Sequence, residues 1–330
     1  MTTPLDQLSV LLLLSAMALY ACAFVSFALD LARRSSEAQQ MADARAARAE
    51  STASAGSGTT TLVAAPPVVT AEGPARRTAG RVAVALTTVG LLFHLGADVL
   101  RGIAAARVPW ANMYEFSMTG TLIIVAVFLV ALRRVDLRFL GAVITGLVLV
   151  LLGIATIGFR VAVSPLPPAL QSYWLVLHVF VAILGTAFFT LSGALSAVQL
   201  VQARRERAEA AGRPAVRTRL LATIPAATRL ENLAYRVAVV GFILWTFTLM
   251  AGAIWANHAW GRYWGWDTKE VWTFIIWVIY AGYLHARATR GWRGNGSAWL
   301  NLIGYASVLF NFGVVNVFFH GLHAYSGLSS

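Results

Sequence analysis

The chain has 330 residues, 58% of them hydrophobic and 12% charged, with a mean hydropathy of +0.68. A soluble globular domain carries about 25% charged residues, so this composition excludes an ordinary water-soluble fold. The net charge of +12 is not a nucleic-acid footprint, because the basic residues are segregated between alternate loops.

Eight apolar runs have, or nearly have, the roughly 20 residues that a bilayer span requires. They cover 8–30, 82–100, 116–132, 139–158, 175–200, 234–255, 271–287 and 298–318. Each is apolar all round the helix, the pattern of a buried or membrane helix and not of a surface one. The expected fold class is all-α, a polytopic integral membrane protein with about eight transmembrane helices. The loops 31–81, 131–138, 201–236 and 286–293 hold 21 of the 26 Lys and Arg residues. Only Arg101, Arg107, Arg160, Arg262 and Lys269 fall in the other set. Positive charge accumulates in cytoplasmic loops, so both termini are expected outside.

The first run lacks a basic leader and an A-x-A cleavage site, and Arg33 and Arg34 follow it, so residues 1–30 read as a retained transmembrane helix. Its Cys22 is the only cysteine. That excludes an internal disulfide, a CxxC redox pair and a covalent haem anchor. Residues 31–81 read as a basic cytoplasmic loop, with a fraying surface helix over Ser35–Glu50 and flexible chain beyond it. Residues 82–330 read as one seven-helix membrane domain. Neither a P-loop nor a GxGxxG sequence occurs, so nothing points to a nucleotide.

The segment Trp255–Trp272, WANHAWGRYWGWDTKEVW, holds five of the 11 tryptophans and the only lysine. Interfacial belts also use Trp, but a belt is spread over many helix ends. Here Trp255, Trp260, Trp264 and Trp266 fall within one external loop, which suits a flat aromatic platform. Gly261 and Gly265 would let backbone approach a flat ligand closely. Asp267 and Glu270 have capping-box spacing before the seventh span, so Asp267 is a helix cap, a ligand-serving charge, or both. Arg262 and Lys269 are either partners for the carboxylates of a bound porphyrin or solvated loop charges.

Six histidines are present, and ionisable residues in or beside spans are functional candidates. His178, near the outer end of span five, and His323, just after span eight, flank the tryptophan loop at one membrane level. Two neutral imidazoles facing each other across an aromatic shelf would make an axial pair for haem iron.

The stretch WANHAWGRYWGWDTKEVWTFIIWVIYAGYLHAR closely resembles the tryptophan-rich WWD signature of haem-handling proteins. Within that group the chain resembles the CcsA/ResC type of cytochrome c biogenesis protein, labelled CcsB in some bacteria. RVPWANMYEF, LPPALQSYWLVLHV and VNVFFHGLHAYSG carry the resemblance too, so it extends from about residue 81 to the C-terminus. It implies haem b over the external WWD segment, ligated by His178 and His323, and a second haem within the membrane ligated by His285. It further implies presentation of haem to the CxxCH motif of apocytochrome c, with a ResB/Ccs1-type membrane subunit as partner. A thiol-disulfide oxidoreductase would act on the apocytochrome, and the multi-pass chain would sit in the bacterial plasma membrane as part of a holocytochrome c synthase. Thr268 stands where the family signature has proline, which removes a favourable first-turn residue but no ligand.

Helix rise puts His285 about 24 Å below the outer face and His94 about 20 Å above the inner one. Their offset of roughly 14 Å in a core about 30 Å thick is too large for one iron, so the second inner ligand is assigned to a partner. His94 is then a polar contact inside the bundle or a packing residue for the partner. His258 and His320 are read as loop residues. Two other readings stand beside this one: a haem chaperone without ligase activity, and a secondary transporter. The second should show inverted repeats and broken helices, and the sequence has neither.

Overall fold

The computed structural model describes residues 4–55, 78–163, 171–212, 223–289, 292–319 and 321–323. Among these no strand occurs, and the chain folds into eight long helices. They are α1 (Pro4–Ala55), α2 (Thr78–Ala105), α3 (Met113–Leu132), α4 (Gly141–Gly158), α5 (Tyr173–Ala210), α6 (Ala227–Trp260), α7 (Thr268–Ala288) and α8 (Asn295–Phe310). A π turn (Asn311–Val315) and a short helix, α9 (Asn316–Phe318), continue α8.

Seven of the long helices are long and apolar enough to cross a membrane, and α7 is not among them. At 21 residues it has the length, about 31 Å at 1.5 Å per residue. Lys269, Glu270, His285 and Arg287 near its ends lower its hydropathy. The protein is thus an all-α, multi-pass membrane protein.

Helix α1 crosses the boundary drawn at residue 30 and continues unbroken to Ala55. The reason is local: after Pro4 at the first helical position, the segment contains no further proline and no glycine before Gly56. An alanine-rich polar stretch has high helix propensity even where it is not apolar. The remainder of the loop, 56–77, lies outside the described residues, as does His320.

Buried charges tie alternate helix ends together and define the two ends of the bundle. Arg101, at the end of α2, is fully buried and donates to Asp6 at the start of α1 (2.6 Å) and to Glu115 at the start of α3 (3.0 Å). It also donates to the carbonyl of Val161 beyond α4 (3.0 Å), and Arg107 completes the group on Glu115 (2.7 Å). At the opposite end, Arg287 of α7 pairs with Glu231 of α6 (2.7 Å), which also accepts from the backbone of Gly294 before α8 (3.0 Å). Breaking one partner of such a buried pair typically costs about 3–5 kcal/mol.

Two apolar clusters meet along α5. One joins α1–α4 around Tyr20, Phe27, Phe128 and Ile144; the other joins α5–α8 around Phe189, Trp245, Tyr280 and Tyr283. Small residues permit the close approach, as is usual between membrane helices. A Cβ on Gly241 would lie 2.7 Å from the Phe189 ring, and that ring stacks on Tyr280 with centroids 3.6 Å apart.

Candidate functional site

The starts of α3, α5 and α7 and the ends of α6 and α8 converge at the Arg101 end of the bundle. Between them lies a cavity of about 1260 Å³, open mouth included. Its wall is mostly apolar and aromatic with a few polar side chains, the make-up of a ligand site. His178 and His323 both line it.

Helix α5 starts at the N-cap Ser172, whose hydroxyl accepts from the backbone of Trp174 (3.2 Å). Two turns in, the His178 Nδ1 bonds the carbonyl oxygen of Thr248 on α6 (2.9 Å). A carbonyl can only accept, so Nδ1 carries the proton and Nε2 is left as the basic nitrogen. Thr248, Gly252 and Trp255 follow one another on a single face of α6, at i, i+4 and i+7. Gly252 gives the imidazole its room: a Cβ there would lie 2.7 Å from the ring. Trp255 is buried and stacks on the His178 ring at 5.7 Å and 17°.

His323 packs against the same indole. Its ring meets Trp255 edge-on at 5.5 Å and Trp260 at 4.8 Å. Its Nδ1 bonds the Asp267 carboxylate (2.8 Å), which also accepts from the backbone N–H of Leu322 (3.1 Å). The same carboxylate is the N-cap of α7, in a reciprocal capping box with Glu270. The bond from His323, ahead of its charge and the backbone donors, holds the Asp267 carboxyl below the ordinary carboxylate range. Cap and histidine support are therefore one structure. Both histidines spend Nδ1 on protein acceptors, and among the described residues neither Nε2 has a hydrogen bond. A neutral imidazole oriented through its other nitrogen is the arrangement found in metal-ligating histidines.

The four tryptophans divide. Trp264 borders the cavity, with its ring edge-on to Trp266 (5.8 Å). Trp255 and Trp260 frame His323. Trp266 is 75% exposed and does not border the cavity, and it holds a left-handed φ of 59°. Gly261 and Gly265 do not line the cavity either. Gly261, at φ 70°, stops α6 and donates to Asn257, the usual left-handed C-cap. Gly265 donates its N–H to Glu270 (2.8 Å), and a Cβ there would run into the Arg262 guanidinium.

His285 is exposed on α7, away from this cavity. His94 is fully buried on α2, its Nδ1 3.3 Å from the Tyr20 hydroxyl of α1. Of its two sequence-based roles the structure gives it the contact inside the bundle. His258 is exposed at the end of α6. Trp110 and the N-cap Asn112 just before α3, Phe116 on α3, and Asn311, Phe312 and Asn316 at the π turn also form cavity wall. RVPWANMYEF pointed to the first three and VNVFFHGLHAYSG reached Asn316; no pattern in the sequence marked Asn311 and Phe312.

A family model described as Cytochrome C assembly protein matches residues 110–323. The chain belongs to that family. Within it, the chain is 34% identical over 243 residues to the cytochrome c biogenesis protein CcsA of Guillardia theta, covering 69% of this chain and 80% of that one. It is 35% identical over 267 residues to CcsA of Prochlorococcus marinus, covering 74% and 83%. The solved structure of the cytochrome c heme lyase CcmF superposes with a TM-score of 0.60 at 17% identity, over 94% of this chain and 47% of that one. At that identity the likeness shows a shared fold. The family stretch opens at Trp110 and closes at His323, the first and last of the described residues that line the cavity.

Proposed function

We propose that this chain acts in cytochrome c maturation by holding haem b in the cavity between His178 and His323 and presenting it to the CxxCH motif of apocytochrome c. The observation that carries the reading is that both imidazoles line one cavity and pack against Trp255, each held through Nδ1 and each with Nε2 uncommitted. Membership of the cytochrome c assembly family supports it. Bound haem supplies vinyl groups across which cysteine S–H bonds add, with S–C bonds formed and hydrogen passing to the neighbouring carbon. The protein's residues orient, ligate and shield. Trp255 and Trp260 fix the His323 ring, Gly252 clears space for His178, and Trp264 closes one wall.

The addition consumes thiols, so a thiol-disulfide oxidoreductase is needed to deliver the apocytochrome reduced. A ResB/Ccs1-type subunit is the partner, and His285, exposed on α7, is the proposed ligand of a second haem at a membrane surface shared with it. The basic-residue asymmetry supports an orientation with the cavity and both termini outside, in a membrane that we take to be the bacterial plasma membrane.

The test is spectroscopic. Purified with its partner, the protein should retain haem with a low-spin bis-histidine spectrum. His178→Ala and His323→Ala should each lose that spectrum and abolish attachment, and added imidazole should restore part of both. Unaltered spectra in both single variants would remove the axial pair and the reading with it.

A further inference from the structure

Lys269 is the only lysine of the chain and stands in the first turn of α7, on the cavity wall. Its Nζ donates to the carbonyl of Asn311 and to the side-chain oxygen of Asn316, each at 2.8 Å. Both acceptors are neutral and belong to the π turn or the residue after it. Single π turns recur at functional sites, and this one brings Asn311 and Asn316 to the cavity side.

An ammonium has three N–H donors, and two of them are used here on uncharged oxygens. Among the described residues no carboxylate lies within 4.0 Å of Nζ. The two nearest in sequence are committed elsewhere. Asp267 holds His323 and the Leu322 N–H. Glu270 accepts from Gly265 and Asp267 and has Arg262 at 3.7 Å. A cation withdrawn from bulk water with no carboxylate in contact is costly, and an incoming anion offsets that cost. Arg262 does not share this position, because it faces Glu270 and does not border the cavity.

We propose that Lys269 is the carboxylate anchor of this cavity, pairing with one acidic side arm of a flat, otherwise apolar dicarboxylate ring such as a porphyrin. The proposal rests on the haem reading above and adds which end of the ligand the protein grips. Two imidazoles define an axis but leave rotation about it free; one charged contact at the rim fixes that rotation. It thereby determines which edge of the ring faces the mouth and which faces the π turn.

The experiment compares iron protoporphyrin IX with its dimethyl ester, which keeps ring, iron and vinyl groups but has no carboxylate. Each is titrated into the full purified chain and followed by the low-spin absorption spectrum. The wild type is expected to bind the diacid about tenfold to hundredfold more tightly than the ester, the worth of one charge-assisted hydrogen bond. Lys269→Gln should lose that preference while binding the ester as the wild type does, with the spectrum unchanged. A wild type that does not distinguish the two ligands overturns the proposal, whatever the variant's folding. So does a Lys269→Gln protein that keeps the wild-type preference, or one that weakens both ligands equally, which marks a packing residue. Failure of the haem reading itself looks different: neither porphyrin then gives a histidine-dependent spectrum.

Discussion

The Asp267 carboxylate caps α7 and, 2.8 Å away, holds the His323 Nδ1 from 56 residues further along the chain. One side chain thus couples the start of α7 to the orientation of a candidate iron ligand. Asparagine caps helices about as well as aspartate, so Asp267→Asn should insert and accumulate normally. Loss of such a supporting partner typically lowers metal affinity about 10–100-fold, and haem titration should find a decrease of that order. Asp267→Ala should add a capping loss of about 1 kcal/mol, visible as reduced accumulation. An asparagine variant with wild-type affinity would confine Asp267 to capping.

The same pair gives a pH dependence. The folded carboxyl titrates below its unfolded value, chiefly because of the bond from His323. Its stabilisation is therefore complete above the unfolded value of about 3.9 and is lost as pH falls through the lower folded value. Thermal unfolding of wild type and Asp267→Asn should differ by a constant amount above about pH 4 and converge below it. A gap that closes between pH 5 and 8 would place the titrating group elsewhere.

Gly252 tests the histidine seat from the opposite wall. A methyl group there meets the His178 ring at 2.7 Å, so Gly252→Ala should displace the imidazole and abolish the low-spin spectrum. Gly153, whose Cβ would meet nothing within 4 Å, is the control. Gly153→Ala should be neutral or stabilising by up to about 1 kcal/mol. Equal spectra in both alanine variants would show that His178 does not need the position described.

The tryptophans should separate by exposure. Trp264→Ala removes cavity wall and should weaken haem retention by about 2 kcal/mol, the scale of an aromatic anchor. Trp266, 75% exposed and off the cavity, should tolerate alanine with haem occupancy unchanged. Equal losses in the two variants would merge them into one platform.

Orientation is tested by export-dependent reporters. A fusion after Ser330 should be active and one at Gly212 inactive, because 21 basic residues lie on the Gly212 side. Reversal at both positions would invert the arrangement.

The helices were legible because an apolar run of span length has few alternatives in composition. The α1 extension was not, since its Arg- and Ala-rich stretch looks like loop by charge and like helix only by the absence of breakers. At the site, His178 and His323 were accessible through their shared membrane level beside the tryptophans. The division among those tryptophans was not, because it depends on the left-handed turn at Trp266 and the stop at Gly261. Gly252 and Thr248 gave no signal: one acts by lacking a side chain and the other through a backbone carbonyl.

The described cavity walls are far apart along the chain, with Trp110 at one limit and His323 at the other. During synthesis α3, α5 and α6 enter the membrane well before the segment after α8, so a nascent chain possesses one imidazole of the pair and an unfinished wall. On the proposed reading a partly inserted protein grips haem through a single ligand and without Lys269's partners on the π turn. On that reading firm retention of haem waits for the last helix to be in place, and the order of translation itself becomes a quality-control step.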